Sequence, residues 1–288
     1  MKKTAWLFVT AAAVIWGTMG IWVRGLNACG LQSMDIVAWR SIGTAVCSGT
    51  GLFLYNKKLL TIRIKDLWCF LGTGIASILF FNYCYFKSIE MIDLSTAAVL
   101  LYTSPVFVVL ISAVCFGEKI TWQKLAAVCL AVVGCAMVSG GGSAGLLNAA
   151  GILTGLGAGL GYALYSIFSR FALQKGYHTL TITFYTFLVA AVGILPYVPF
   201  SGLRPALFGE ADFWGMSAGL ILVVTVAAYV LYTYGLSGME NGKAAVIATI
   251  EPVTASLIGV LFYHETISLT GLCGIAAVLV SGWLVSRK

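Results

Sequence analysis

Charge is what this sequence has least of. Only 9% of its 288 residues are Asp, Glu, Lys or Arg and 60% are hydrophobic, whereas soluble domains carry about 25% charged residues. So few charges cannot coat a water-soluble globule of this length, which excludes a cytosolic enzyme and makes the chain an integral membrane protein. Histidine occurs twice, and the eight cysteines form no C-x-x-C pair, so a metal centre is not expected. No glycine-rich loop ending in Lys and Ser or Thr is present to cradle ATP, and no cofactor is expected. The 17 basic residues outnumber ten acidic ones, but they fall in short clusters beside apolar runs. That distribution argues against nucleic acid as a partner and reads as a code for membrane orientation.

What is abundant is apolar sequence in lengths that suit a lipid bilayer. Runs of about 20 residues cross about 30 Å of hydrocarbon at 1.5 Å per residue. Ten such runs extend from Ala5 to Val23, Met34 to Leu54, Leu67 to Phe86, Leu94 to Phe116, Trp122 to Ser139, Gly151 to Leu173, Leu180 to Pro199, Phe213 to Leu236, Ala244 to Phe262 and Leu269 to Val285. Helices are the expected form, because lipid offers no partner for a free peptide group. Met1-Lys2-Lys3 followed by Ala11-Ala12-Ala13 looks like a secretory signal, but the apolar run continues through Val14, Ile15 and Trp16. A retained first span is therefore expected.

With ten spans and the amino terminus inside, inner loops and ends hold Lys2, Lys3, Lys57, Lys58, Arg63, Lys65, Lys119, Lys124, Arg170, Lys175, Lys243, Arg287 and Lys288. The outer ones hold Arg24, Lys87 and Arg204. This bias predicts a multi-pass protein of the cell membrane with both termini cytoplasmic. Trp6, Trp22, Trp68, Trp122, Trp214 and Trp283 fall near span ends, as an interfacial belt does. Trp16 and Trp39 sit deeper, where they either line a cavity or pack helices.

The chain also repeats itself. Ala97-Ala98-Val99, Pro105 and Glu118 recur 147 residues later as Ala244-Ala245-Val246, Pro252 and Glu265. At a shift of 146, Trp16-Gly17 and Arg24 match Tyr162-Ala163 and Arg170, and Trp39-Arg40 matches Tyr185-Thr186. Each copy holds five spans, and an odd number forces the second copy to enter the membrane upside down. The organisation expected is residues 1–140 as a first five-helix repeat, 141–147 as a Gly/Ser connector, and 148–288 as a second, inverted repeat. Two inverted halves around a central cavity can expose it alternately to each side, so the predicted function is solute transport.

The motifs Trp16-Gly17, Trp39-Arg40, Ser104-Pro105 with Phe116-Gly117-Glu118, and Glu251-Pro252 with Tyr263-His264-Glu265 resemble those of the drug/metabolite transporter superfamily, in particular its ten-helix EamA family. The resemblance spans both halves. It implies a basket-like cavity lined mainly by helices 1, 3, 4, 6, 8 and 9, with helices 5 and 10 behind, and a small metabolite, notably an amino acid, as cargo, often moved outward. His264 departs from the pattern where glycine is usual, and Thr186 where the first copy has Arg40.

Ionisable groups inside spans are costly unless paired or wetted, which makes Arg40 and Glu251 the leading candidates for substrate binding or coupling. Arg40 lies about 9 Å from the outer end of its span. It either snorkels and anchors loop carbonyls or meets the substrate. Glu251 precedes Pro252, and Pro105 occupies the matching place, so both prolines are expected to break helices near mid-membrane. A carboxylate there can exchange a proton for a substrate ammonium, or it can serve as a structural acceptor for the opened helix. Tyr85 and Tyr232 correspond across the repeat, and Tyr102, Tyr162 and Tyr229 add further hydroxyls suited to a cavity for a small-molecule substrate. Arg40 and Glu251 are expected about 10 Å apart along the membrane normal, too far for one amino acid to bridge. Glu118 and Glu265 are expected to pin helix ends, and Gly151, Gly155 and Gly159 with Gly157 and Gly161 to pack the sixth helix closely. A nucleobase, a vitamin or an organic cation stays open as cargo, and a membrane enzyme is the competing class.

Overall fold

A computed structural model describes residues 4–139, 148–197, 211–264 and 266–286. The connector 141–147, Glu265, Arg204 and the terminal basic residues Lys2, Lys3, Arg287 and Lys288 lie outside the described residues. Among the described residues every element is helical. Eight helices are long and apolar enough to cross a membrane: α1 (Ala5–Ala28), α3 (Ile64–Met91), α4 (Leu94–Phe116), α6 (Ala149–Gln174), α7 (Thr179–Tyr197), α8 (Ala211–Leu236), α9 (Asn241–Tyr263) and α10 (Leu269–Ser286). The 23-residue α2 (Ser33–Tyr55), which carries Asp35 and Arg40, and the 17-residue α5 (Trp122–Val138) complete ten among the described residues.

Three helices are broken where the sequence offers threonine. In α1 the break falls at Thr18, in α4 at Tyr102 and Thr103, and in α9 at Thr249. Each time a threonine hydroxyl bonds the carbonyl three residues back, namely Thr18 to Ile15 at 2.7 Å, Thr103 to Leu100 at 2.6 Å and Thr249 to Val246 at 2.6 Å. This local bond competes with the helical ladder. Pro105 and Pro252 thus sit just inside the second half of each broken helix, where proline's missing N–H costs nothing.

The two copies share backbone irregularities as well as sequence. Gly72–Leu79 in α3 and Gly219–Ala227 in α8 are both wound as π-helix, 147 residues apart at their starts. Each stretch begins at a glycine whose hollow is filled by an aromatic ring from the opposite repeat. A Cβ on Gly72 would collide with the Phe168 ring, and one on Gly219 with the Trp22 ring. Trp22 therefore turns inward, with its indole N–H on Thr18 at 3.1 Å, rather than joining the belt. Trp6, Trp68, Trp122, Trp214 and Trp283 are exposed, as a belt requires.

The principal packing runs between repeats. α1 lies on α8 and α9, α2 on α7, α3 on α6 and α7, α4 on α6, and α5 on α10. On α6, Gly155 and Gly159 fit against Leu100 of α4, while Gly157 and Gly161 fit against Cys84 and Phe81 of α3. The α5–α10 seam closes to backbone contact, since a Cβ on Gly134 would stand 2.9 Å from the Gly274 carbonyl oxygen.

Both α4 and α9 end in a left-handed residue, Gly117 (φ 65°) and His264 (φ 54°). An L-residue loses roughly 1–2 kcal/mol in this region. His264→Gly is therefore expected to stabilise the protein by about 1 kcal/mol, read as a higher melting temperature in detergent.

Candidate functional site

An aromatic cluster lies within the main hydrophobic core. Trp16, one residue before Gly17 and the α1 break, packs its ring 5.1 Å from Tyr229, 5.2 Å from Tyr232 and 6.3 Å from Tyr162. The four rings come from both repeats, and Trp16 and Tyr162 are equivalent positions in them. Ser77, Ile78 and Phe81 of α3 and Tyr165 and Ser166 of α6 complete a cavity of about 20 Å³, room for about one water. The cavity is small in this conformation, and its lining comes from α1, α3, α6 and α8, with α4 and α9 contributing beside it.

Buried hydroxyls inside the ring cluster are paired between helices of the second repeat, α6 with α8. Tyr165 and Thr233 lie 2.8 Å apart, and Ser166 and Tyr232 2.7 Å apart. Tyr162 donates to Glu251 Oε2 at 2.8 Å. This brings the carboxylate of α9 to the aromatic cluster. Tyr85, Tyr102 and Tyr229 lie within electrostatic reach of the same carboxylate. Tyr102 packs with Cys135 and Val253 at the α4 break, and Tyr85 with Phe81.

Arg40 is 5% exposed and points toward α1, where its Nη1 meets the Met19 sulfur at 3.8 Å; among the described residues its Nε and Nη2 have no partner. Among the described residues it bonds no loop carbonyl. Trp39 does not line the cavity; its indole donates to Ser217 Oγ at 2.9 Å, and its ring packs on Phe213 and Trp214, joining α2 to α8. Thr186, the equivalent of Arg40, bonds Thr73 Oγ1 at 2.7 Å. Tyr165, Ser166 and Phe81 are site residues that sequence reasoning missed. Ser166 is one helical turn from Tyr162, and that spacing was the signal available.

Two matches to one family divide the chain into its repeats: the sequence signature of the EamA-like transporter family fits residues 3–140 and again 149–287. The chain belongs to the EamA-like transporter family. Relatives of this EamA-like transporter include an uncharacterized transporter of Archaeoglobus fulgidus, 28% identical over 97% of this chain and 95% of that protein. The uncharacterized transporter YwfM of Bacillus subtilis is 25% identical over 97% and 93%. The pseudopaline exporter CntI of Pseudomonas aeruginosa is 27% identical over 100% and 97%. A crystal structure with 18% identity superimposes with a TM-score of 0.82 over 99% of this chain and 96% of that one, which is a likeness of fold.

At one end of the helices an ion network ties the transporter's repeats together. Glu118, after α4, accepts from the backbone N–H of Asn241 at 2.7 Å and of Gly242 at 3.2 Å, so it caps α9. The Lys124 ammonium, 3% exposed, reaches Glu118 at 3.5 Å and Glu240 at 3.0 Å. Arg170 of α6 donates to Asn241 Oδ1 at 2.8 Å and to the Met239 carbonyl. Loop residues follow suit: the Lys175 ammonium, bonded to Asp66 at 2.6 Å, is held above its usual pKa by that hydrogen bond. At the other end, Lys87 pairs with Glu90 at 2.9 Å, and Asp93 caps α4 through the Thr96 N–H at 2.8 Å. Glu118→Ala would orphan two α9 donors and leave Lys124 with the half-exposed Glu240 as its one ion-pair partner, beside the Lys119 carbonyl. The expected loss is about 3 kcal/mol, measurable as a lower melting temperature, whereas Glu90→Ala on the exposed pair should change little.

Proposed function

We propose that this chain is a secondary carrier that exports an amino acid or related polar metabolite by alternating access, with proton exchange at Glu251. The observation that carries the reading is the Tyr162–Glu251 hydrogen bond of 2.8 Å beside a ring cluster built from both repeats. A carboxylate at the meeting point of two inverted halves is placed to bind a proton or an ammonium in turn. Residues 1–140 and 148–288 act as the two rocking units, linked by 141–147, with both termini cytoplasmic. The cavity of about 20 Å³ is then a closed state between inward and outward openings, since solute pockets span roughly 300–1,000 Å³. The ion network at Glu118, Lys124 and Arg170 holds one of those openings shut. Outward direction is supported by the relative named an exporter.

A carboxylate boxed by aromatic rings also suits an organic cation, which is the second reading. Counterflow in proteoliposomes separates a carrier from other classes. Vesicles loaded with an unlabelled solute should accumulate the labelled form transiently, and an imposed pH gradient should drive net movement. Absence of exchange for every amino acid and amine tested would overturn the carrier reading.

A further inference from the structure

We propose that Arg40 is the carboxylate-binding group of the central site, so that the carried solute bears a carboxylate as well as a protonated amine. This rests on the carrier reading and narrows its cargo. Three buried polar atoms near the α1 break have no partner, the Nε and Nη2 of Arg40 and the Nε1 of Trp16, and all three are donors. A buried guanidinium without a counter-ion is expensive, and among the described residues no carboxylate pairs with it. What would satisfy all three is an acceptor with negative charge, and a guanidinium matches a carboxylate in a bidentate fork.

The geometry links this anion subsite to Glu251. Arg40 meets α1 at Met19, and the backbone of Glu251 lies against α1 at Gly17, where an added Cβ would stand 2.8 Å from its carbonyl oxygen; these two contacts flank the α1 break. Tyr229, which lines the cavity, feels the charge of both groups. The α1 break at Thr18 falls between the contacts, so its opening exposes both ends of a zwitterion site. The rings of Trp16, Tyr229 and Tyr232 would then cover the solute's carbon side chain.

The test compares the twenty L-amino acids with the amide and the decarboxylated amine of each, using the purified full chain and its Arg40→Met, Arg40→Gln and Arg40→Lys variants. Without ligand, Arg40→Met should melt higher than wild type, because an unpaired charge has been removed; a structural anchor would give a lower melt. Amino acids should stabilise wild type at concentrations about tenfold or more below their amides and amines. Arg40→Gln and Arg40→Met should respond to acid and amide alike, and Arg40→Lys should keep the preference. Amides or amines that stabilise wild type as well as the acids, or no response to any amino acid, would overturn the subsite whether or not a variant folds. Counterflow on the same proteins keeps the two ideas apart: amines exchanged in preference to acids would remove the subsite and leave the carrier. Acids bound through Arg40 but never exchanged would do the reverse.

Discussion

Glu251→Gln is expected to slow exchange by about 100-fold, equivalent to about 3 kcal/mol and within the range for losing a hydrogen-bonded buried charge. The substitution keeps the shape and the bond from Tyr162 but removes the exchangeable proton and the negative charge. Its distinguishing mark is therefore in the pH profile: residual exchange by the Glu251→Gln protein should no longer vary with pH, and an imposed pH gradient should drive nothing. Tyr162→Phe removes only the 2.8 Å donor; its expected loss is about tenfold, one hydrogen bond to a charged group, with pH dependence kept. An unchanged rate and pH profile in Glu251→Gln would make the carboxylate a structural acceptor of the broken α9.

The largest effect on stability is expected at the α5–α10 seam. A Cβ on Gly274 would lie 2.7 Å from the Gly134 carbonyl oxygen and 2.8 Å from the Val138 nitrogen, backbone atoms that cannot turn aside. Gly274→Val should cost about 3 kcal/mol or more by forcing the helices apart, and Gly134→Val similarly. Gly282 on the same helix has nothing within 4 Å of an added Cβ, so Gly282→Val is the matched control and should leave the melting temperature nearly unchanged. Equal losses at positions 274 and 282 would show that the seam has no special role.

Much of this architecture was legible because lipid imposes simple rules. Long apolar runs marked the ten helices, and an odd number of spans per copy implied the inversion. The 147-residue register even marked the paired irregularities, since Pro105 and Pro252 accompany the breaks at Thr103 and Thr249. Less legible was which face of each helix turns inward. Trp22 and Trp39 have the same residue type as Trp16, yet one fills the hollow of Gly219 and the other joins α2 to α8. Only the packing of α8 decides that. That Arg40 is buried with unpartnered guanidinium nitrogens was hidden too, because span depth says nothing of which neighbours a side chain meets. The π-helical stretches in α3 and α8 carry no residue signal beyond the glycine that opens them.

That every main contact of α1, α2 and α5 is with α7, α8, α9 or α10 also sets a schedule for biogenesis. Chains are made at about 5–20 residues per second. The second half, residues 148–288, therefore emerges over roughly 7–30 s. Through that interval the first five helices stand in the bilayer with lipid in place of their native neighbours. Gly134 faces acyl chains rather than Gly274, and Arg40 has no Tyr229 beside it. Tertiary structure forms when the ribosome finishes, not when the first half inserts, and the insertion machinery must tolerate five unpartnered helices until then.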